Sequence, residues 1–337
     1  MVGGGSSERS LQRALELGAI DRAAEGPEDA LDGVDVCFVC APVSAVVESA
    51  AAALASGGDA VVSDVGSTKC SVLDGLAERG LSVEDRSRFV GGHPLAGAET
   101  AGVDHASADL FQDARWYLTP TESTSGVHYD RLYRTVSALG ARPAAIGASI
   151  HDRLMATVSH LPHVLANALV SQAAHELVEE SQTLPATGPS FRDATRVAGA
   201  NPPLWRDIFL ANRDAIDGEI ETLVASLRKV QEDLRAGDAD AIERSIERSR
   251  ADRRRLLESE LAGGPVSEVR AAVPNRPGIV AQLALAVGEA GVNIVDMALY
   301  PAPDMRSGAI ALWVQGDGSA ERVIGVVEAL GFRAHVA

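Results

Sequence analysis

The sequence predicts an α/β protein in three parts. A parallel sheet with helices on both faces spans residues 1–149, an all-helical segment 150–261, and a small βαββαβ module 266–337. Three observations predict this. Short apolar runs such as Val34–Cys40 and Ala60–Val65 alternate with helical stretches, the pattern of strands buried on both faces. From His151 to Ser259 such runs stop, and apolar residues return at helical spacing. After Gly263-Gly264-Pro265 the short strands resume, in a ferredoxin-like order of roughly 70 residues.

Taken in order, Ser6 or Ser7 caps a helix from Glu8 to Leu17 that stops at Gly18. Strand Val34–Cys40 leads through Ala41-Pro42-Val43 into a helix that runs to Leu54. Strand Ala60–Val65 delivers Asp64-Val65-Gly66-Ser67-Thr68-Lys69 at its carboxyl end. Arg88–Gly92 leads into the loop His93-Pro94-Leu95-Ala96-Gly97-Ala98-Glu99, and strands Arg115–Leu118 and Pro143–Ile146 flank a helix from Tyr129 to Leu139. Parallel sheets bind ligands beyond the carboxyl ends of their strands, which makes Ser67, Lys69 and His93 candidate site residues. The blander alternatives are a turn with a helix cap for Gly66-Ser67-Thr68 and a solvated first-turn lysine for Lys69. His93 resists such a reading, because proline and glycines fix the loop that holds its imidazole. His105, His151 and His175 lack such surroundings and read as surface or structural.

In the helical part, Pro162 stands inside an apolar-periodic run and cannot donate to the carbonyl of Val158. A kink beside His160 is therefore expected. His160 and His163 at that kink, with Arg192 and Arg196 on the next helix, suit anion binding and proton transfer. A long amphipathic run from Trp205 to Leu234 follows, then a break at Gly237-Asp238 and a charged helix from Ala239 to Ser259 with a solvated face. The last part reads as strand Val269–Val273, loop Pro274–Gly278, helix Ile279–Ala290, a turn at Gly291–Ile294 into a strand, a hairpin through Pro303–Gly308 to Ala309–Val314, and a final helix and strand.

Composition narrows the functional classes. Hydrophobic residues make up 46% of 337 and aromatics only 4%, as in a soluble globular protein with a core of Ala, Val and Leu. A net charge of −17 argues against nucleic acid and anionic membrane as partners. No apolar run approaches the ~18 residues that span a bilayer, and no secretion signal opens the chain, so a cytoplasmic location is expected. Of the three cysteines, Cys37 and Cys40 sit three apart on a strand and face opposite sides, which predicts core thiols rather than a redox pair. No His, Asp or Glu cluster has metal-ligand spacing, so no metal site is expected.

Asp64–Lys69, Gly92–Glu99, Ser159–His163 and Phe191–Arg196 through Trp205-Arg206-Asp207 together resemble the motifs of prephenate dehydrogenases, in matching order. Asn275-Arg276-Pro277-Gly278 with Gly291-Val292-Asn293-Ile294 resembles an ACT domain, a small amino-acid-sensing module. The match runs from Leu31 onward.

The resemblance implies a Rossmann-type dinucleotide domain, a helical substrate and dimerisation domain, and an ACT-like regulatory domain. It implies oxidative decarboxylation of prephenate to 4-hydroxyphenylpyruvate with NAD, on the route to tyrosine, by a homodimer. By motif position, His93 takes the proton of the ring hydroxyl and Ser67 braces it. His160 and Arg196 hold the substrate carboxylates, with Glu99 modulating the arginine. Ala41, Pro42, Asp64, Gly66 and Lys69 line the cofactor, while Asn275, Arg276, Gly278 and Asn293 surround an amino-acid effector.

One feature departs from the pattern. The first strand and the G-x-G-x-x-G loop that seat a pyrophosphate have no counterpart, and Gly3-Gly4-Gly5-Ser6-Ser7-Glu8 does not fit. The Rossmann-type sheet is thus expected to be N-terminally truncated, with a gap or re-pairing at its centre and weakened cofactor binding. Gly5 or Ser6 stands where an acid would take the ribose, with Arg9 nearby, which leaves NADP open beside NAD. The alternatives are arogenate as substrate, or a catalytically impaired amino-acid sensor. A β-hydroxyacid dehydrogenase is disfavoured, because Lys229 is the only lysine between 150 and 260.

Overall fold

The computed structural model describes residues 1–5, 7–97, 102–181, 187–259, 266–274, 276, 279–292, 294–302 and 307–337. The chain packs as two compact units, Met1–Leu184 with Ala194–Leu223, and Pro185–Asp193 with Val224–Ala337.

The first unit begins with β1 (Val2–Gly3), α1 (Glu8–Glu16), β2 (Arg22–Ala23) and α2 (Pro27–Leu31). Ser7 caps α1, its hydroxyl accepting from the Ser10 N–H. The sheet follows as β3 (Val36–Val39), α3 (Val43–Ala55), β4 (Val61–Asp64), α4 (Cys70–Ala77), α5 (Val83–Ser87), β5 (Gly91–Pro94), β6 (Arg115–Thr119), α6 (Gly126–Ala138) and β7 (Arg142–Ala145). β1 pairs with β2 and β3 with β4, both parallel, and no ladder joins the two pairs among the described residues. A parallel bridge between Val62 and Phe89 ties β4 to the segment entering β5.

Alternation along β4 explains the two covered faces. Val62 packs with Val46, Ala50 and Leu54 of α3 and with Val72 and Leu76 of α4. Its neighbour Val61 packs on the other side, with Trp116, Leu118, Leu132 and Val136. Helices on both faces are as expected, but uniformly parallel pairing is not. β5 runs antiparallel to β6, and β6 is parallel to β7. Between β5 and β6 the described chain holds only a short 3-10 turn at Val103–His105, and antiparallel neighbours need no crossover helix. His93 is also relocated by this, from a loop to the third position of β5. Cys40 is exposed rather than buried, since β3 ends one residue before it.

The helical elements are α7 (Ala148–Met155), a single π-helical turn (Ala156–His160), α8 (Leu161–Ser181), α9 (Pro189–Ala194), α10 (Pro202–Ala211), α11 (Arg213–Ala236) and α12 (Ala239–Ser259). The irregularity required by Pro162 is the π turn, in which the Leu161 N–H reaches the Ala156 carbonyl. The expected single run from Trp205 to Leu234 is in fact two helices that part at Asn212. Asn201 caps α10 through its side chain, ahead of the two prolines that open the helix.

In the second unit, β8 (Val266–Pro274), α13 (Ile279–Glu289), β9 (Ile294–Pro301), β10 (Ser307–Gln315), α14 (Ser319–Ala329) and β11 (Arg333–Val336) form a sheet of order β11-β8-β10-β9. All its pairs are antiparallel. Val269, Ile310 and Leu312 on one face pack against Leu283 and Val287 of α13 and Val323 and Val327 of α14. On the other face the Arg253 guanidinium of α12 lies 4.6 Å from the centre of the Trp313 ring.

No helix among the described residues is long and apolar enough to cross a membrane.

Candidate active site

The site is built on the carboxyl end of β4. Asp64 is fully buried and accepts hydrogen bonds from the N–H groups of Gly66 (2.9 Å) and Gly92 (3.1 Å) and from the Lys69 ammonium. Lys69 Nζ also donates to the Gly92 carbonyl at 2.6 Å. Burial pulls the lysine pKa down and Asp64 opposes that shift. This knot fastens β5 to β4 and so fixes His93. Gly92 has to be glycine, because a Cβ there would stand 2.6 Å from the Asp64 carbonyl oxygen.

From His93 a chain of hydrogen bonds runs inward. His93 Nδ1 lies 2.9 Å from His151 Nε2, and His151 Nδ1 lies 2.8 Å from Asp152 Oδ1. Asp152 also accepts from the backbone N–H groups of Lys69 (2.7 Å) and Cys70 (2.8 Å), the amino-terminal end of α4, where the helix dipole favours an anion. Burial acts to raise the Asp152 pKa, but the hydrogen bonds from His151, Cys70 and Lys69 outweigh it and the net shift is downward. The same surroundings push the Cys70 thiol up to about 12, by burial first and the Asp152 charge second. His93 is pushed down to about 3 by burial, with the His151, Lys69 and His160 charges adding to it, and so is neutral near pH 7.

Tautomers follow from this order. An ionised Asp152 can only accept, so His151 Nδ1 carries the proton and donates. A His151 ring with that one proton accepts at Nε2 from His93 Nδ1–H, which leaves a lone pair on His93 Nε2. That nitrogen is a base supported by a two-residue relay.

A second histidine stands beside the first. His160, 1% exposed, ends the π turn and presents its ring edge-on to Trp205, with centroids 6.1 Å apart. His163 stacks on the same indole at 3.4 Å. Burial holds His160 down to about 4, and it lowers His163 too, helped by the nearby Arg196 charge. Asn212, at the break between α10 and α11, donates from Nδ2 to the Asp152 carbonyl at 2.7 Å and contacts His160 Nδ1 at 3.1 Å.

Of the residues expected at the site, His93 and His160 are brought together, His160 lying close enough for its charge to act on the His93 ring. The Ser67 hydroxyl is buried without a hydrogen-bond partner, so it does not brace His93 but remains available to a ligand. Asp64 and Lys69, expected at the cofactor, are fully buried side chains that pair with each other. Ala41 and Pro42 enter α3, whose amino end has no side-chain cap, and Gly66 stands at the β4 turn. Arg196 is exposed. Glu99, Asn275, Gly278 and Asn293 lie outside the described residues, while Arg276 is exposed and donates to Gln282 at 2.8 Å. Among the described residues no group of three or more His, Cys, Asp or Glu is placed to hold a metal.

The sequence reading missed His151, Asp152 and Asn212. His151, expected at the surface or in a structural role, is fully buried and bonded to His93. The signals present were a His-Asp pair opening a helix and an asparagine, a poor helix former, inside an apolar-periodic run.

A doubly wound nucleotide-binding sheet, followed by a helical domain that contributes histidines to one buried site, defines a dinucleotide-dependent oxidoreductase architecture. Models of the prephenate dehydrogenase nucleotide-binding domain and dimerization domain match residues 1–144 and 147–248. The chain is 35% identical over 234 residues to a cyclohexadienyl dehydrogenase of Zymomonas mobilis, covering 69% of this chain and 78% of that one. It is 28% identical over 334 residues to a prephenate dehydrogenase of Bacillus subtilis, covering 98% and 89%. Among solved structures it resembles Aquifex aeolicus prephenate dehydrogenase in complex with hydroxyphenyl propionate and NAD+, with TM-score 0.67, 30% identity and coverage of 74% and 88%. It also resembles Synechocystis arogenate dehydrogenase, with TM-score 0.66, 26% identity and coverage of 75% and 89%. The chain belongs to the prephenate dehydrogenase family.

Proposed function

We propose that this protein oxidatively decarboxylates prephenate to 4-hydroxyphenylpyruvate with NAD as oxidant, a step toward tyrosine. The observation that carries the proposal is the Asp152–His151–His93 relay, which leaves a proton acceptor at His93 Nε2. The ring hydroxyl of the substrate must lose its proton as the ring carbon is oxidised, and His93 Nε2 takes it. The Nδ1 proton of His93 then passes to His151 Nε2, and the imidazolium so formed is held by the Asp152 carboxylate. Aromatisation drives loss of the carboxylate, so the protein's task is to orient and polarise. Arg196 and His160 hold the substrate's anionic groups.

Small residues at Ala41 and Gly66, the uncapped amino end of α3 and the unpartnered Ser67 hydroxyl fit a nicotinamide against the carboxyl ends of β3 and β4. When bound, that cofactor supplies the acceptor for the hydride the substrate loses. NADP is the second cofactor to test, given Arg9 and the absence of an acid at Gly5.

The chain then divides into a dinucleotide domain at 1–149, a helical substrate and dimerisation domain at 150–261 and an ACT-like domain at 266–337. Exposed Leu227, Val230 and Leu234 of α11 and Ile246 of α12 support a homodimer. The βαββαβ order of the last module supports an amino-acid effector site near Asn275–Gly278 and Asn293.

The test is absorbance of the reduced nicotinamide with prephenate and either NAD or NADP, with Arg196→Ala alongside. Turnover that Arg196→Ala weakens through KM is expected; no turnover with either cofactor overturns the reading. Arogenate is the second substrate to try, since the chain resembles the arogenate dehydrogenase structure almost as closely.

A further inference from the structure

Asn212 belongs to none of the groups that would touch substrate, yet it is buried and sits where a long amphipathic stretch is broken into two helices. Its amide makes two contacts from one nitrogen. One goes to the main-chain carbonyl of Asp152, at 2.7 Å, and the other to His160 Nδ1, at 3.1 Å.

The first contact fixes the orientation of the amide. A carbonyl oxygen only accepts, so the Asn212 atom facing it must be the NH2 group. The second hydrogen of that group then points to His160 Nδ1, which must be the unprotonated nitrogen of a neutral ring. The proton of His160 is therefore on Nε2.

We propose that Asn212 is a positioning residue that locks His160 as an Nε2–H donor, opposite in sense to His93, whose Nε2 is an acceptor. The site then offers one acceptor and one neutral donor. That pairing matches a ligand with a hydroxyl at one point and a carboxylate or carbonyl oxygen at another. The proposal deepens the assignment of His160 to a substrate anion and rests on it for the identity of the ligand, though not for the tautomer.

Asp152 links the two settings. Its carboxylate orients His151, and through it His93, while its carbonyl orients Asn212, and through it His160. The charged and titratable groups that act on His160 are Asp152 and His151 on α7 and His163 on α8. Of these only Asp152 favours a second proton on the ring.

The test reads the tautomer directly. In the full-length protein with 15N-labelled histidine, long-range proton–nitrogen correlation distinguishes the Nε2–H from the Nδ1–H form; His160→Asn assigns the signal by its loss. The expected result is a neutral Nε2–H ring that stays unprotonated down to pH 5. In Asn212→Ala that ring becomes a mixture of tautomers. KM for prephenate rises about tenfold, equivalent to roughly 1.4 kcal/mol, while kcat changes less than threefold. Asn212→Asp places an acceptor at Nδ1, so the ring protonates at higher pH and the pH profile of KM moves with it. Should Asn212→Ala not fold, the wild-type spectrum alone decides the matter.

A wild-type His160 protonated on Nδ1 overturns the proposal, as does an Asn212→Ala protein with unchanged tautomer and KM. If wild-type protein shows the Nε2–H tautomer but no turnover of prephenate, the functional reading fails while this one stands.

Discussion

The imidazoles of His93 and His151 meet Nδ1 to Nε2 at 2.9 Å with their planes at 74°, one ring edge-on to the other. Such a contact joins two rings head to tail, so the tautomer of the inner one dictates that of the outer one. Asp152 sets the inner ring.

Replacing that carboxylate should therefore disable a base it does not touch. In Asp152→Asn, the backbone N–H groups of Lys69 and Cys70 compete with His151 for one amide oxygen, and the amide NH2 can instead donate to His151 Nδ1. The relay then runs backwards and protonates His93 Nε2. A 100- to 10,000-fold loss of kcat is expected, on the scale of general-base catalysis, with a much smaller change in KM. A steady-state comparison with wild type checks this; an unchanged kcat would remove the relay from the mechanism.

Acid should weaken the fold through its histidines. His93 and His160 have folded pKa values of about 3 and about 4, against 6.5 for a free imidazole. Below pH 6.5 the unfolded chain takes up protons that the folded site refuses, so stability falls as pH falls. It continues to fall until each folded pKa is reached. From pH 7 to pH 5 each ring contributes a loss of about 2 kcal/mol. Asp152, whose folded pKa is depressed, adds a further loss at still lower pH. Urea unfolding at pH 7 and pH 5 should show the drop, and His160→Asn should shrink it.

Lys69→Met is expected to destabilise by about 3–5 kcal/mol, because it leaves the buried Asp64 without its counter-charge. Double replacement with Asp64→Leu should recover part of that loss. If Lys69→Met unfolds at the wild-type denaturant midpoint, the ion pair is not what secures β5.

Gly92→Ala tests the same region by shape alone. Its Cβ would meet the Asp64 carbonyl at 2.6 Å, Ser63 Oγ at 2.7 Å and Trp116 Nε1 at 3.0 Å, and the backbone contact cannot rotate away. β5 must shift, and His93 with it. Lower kcat together with a lower melting temperature is expected; a fully active variant would show that β5 tolerates displacement.

Much of this was legible in the sequence, and for local reasons. Strand β4 could be read from Ala60–Val65 because a strand buried on both faces needs an unbroken apolar run. The βαββαβ order of the last unit was readable because each element there is short and bounded by glycine or proline. His93 and His160 stood out through their proline neighbours. The antiparallel turn of β5 against β6 was not readable, since periodicity gives strands but not their direction. His151 and Asn212 were hidden for a related reason. Their partners lie 58 and 52 positions away, and a polar residue in a helical run looks alike whether it meets water or another imidazole.

The grip on Asp152 has a consequence for how such a site fails. The amino end of α4 holds its carboxylate and Asn212 holds its carbonyl, while its side chain sets His151. One residue thus stands behind the settings of both His93 and His160. Sliding α7 away from α4 would unset the base and the donor in the same movement. A half-open pocket would then be inert rather than indiscriminate, and stray proton abstraction from a poorly seated molecule would be suppressed.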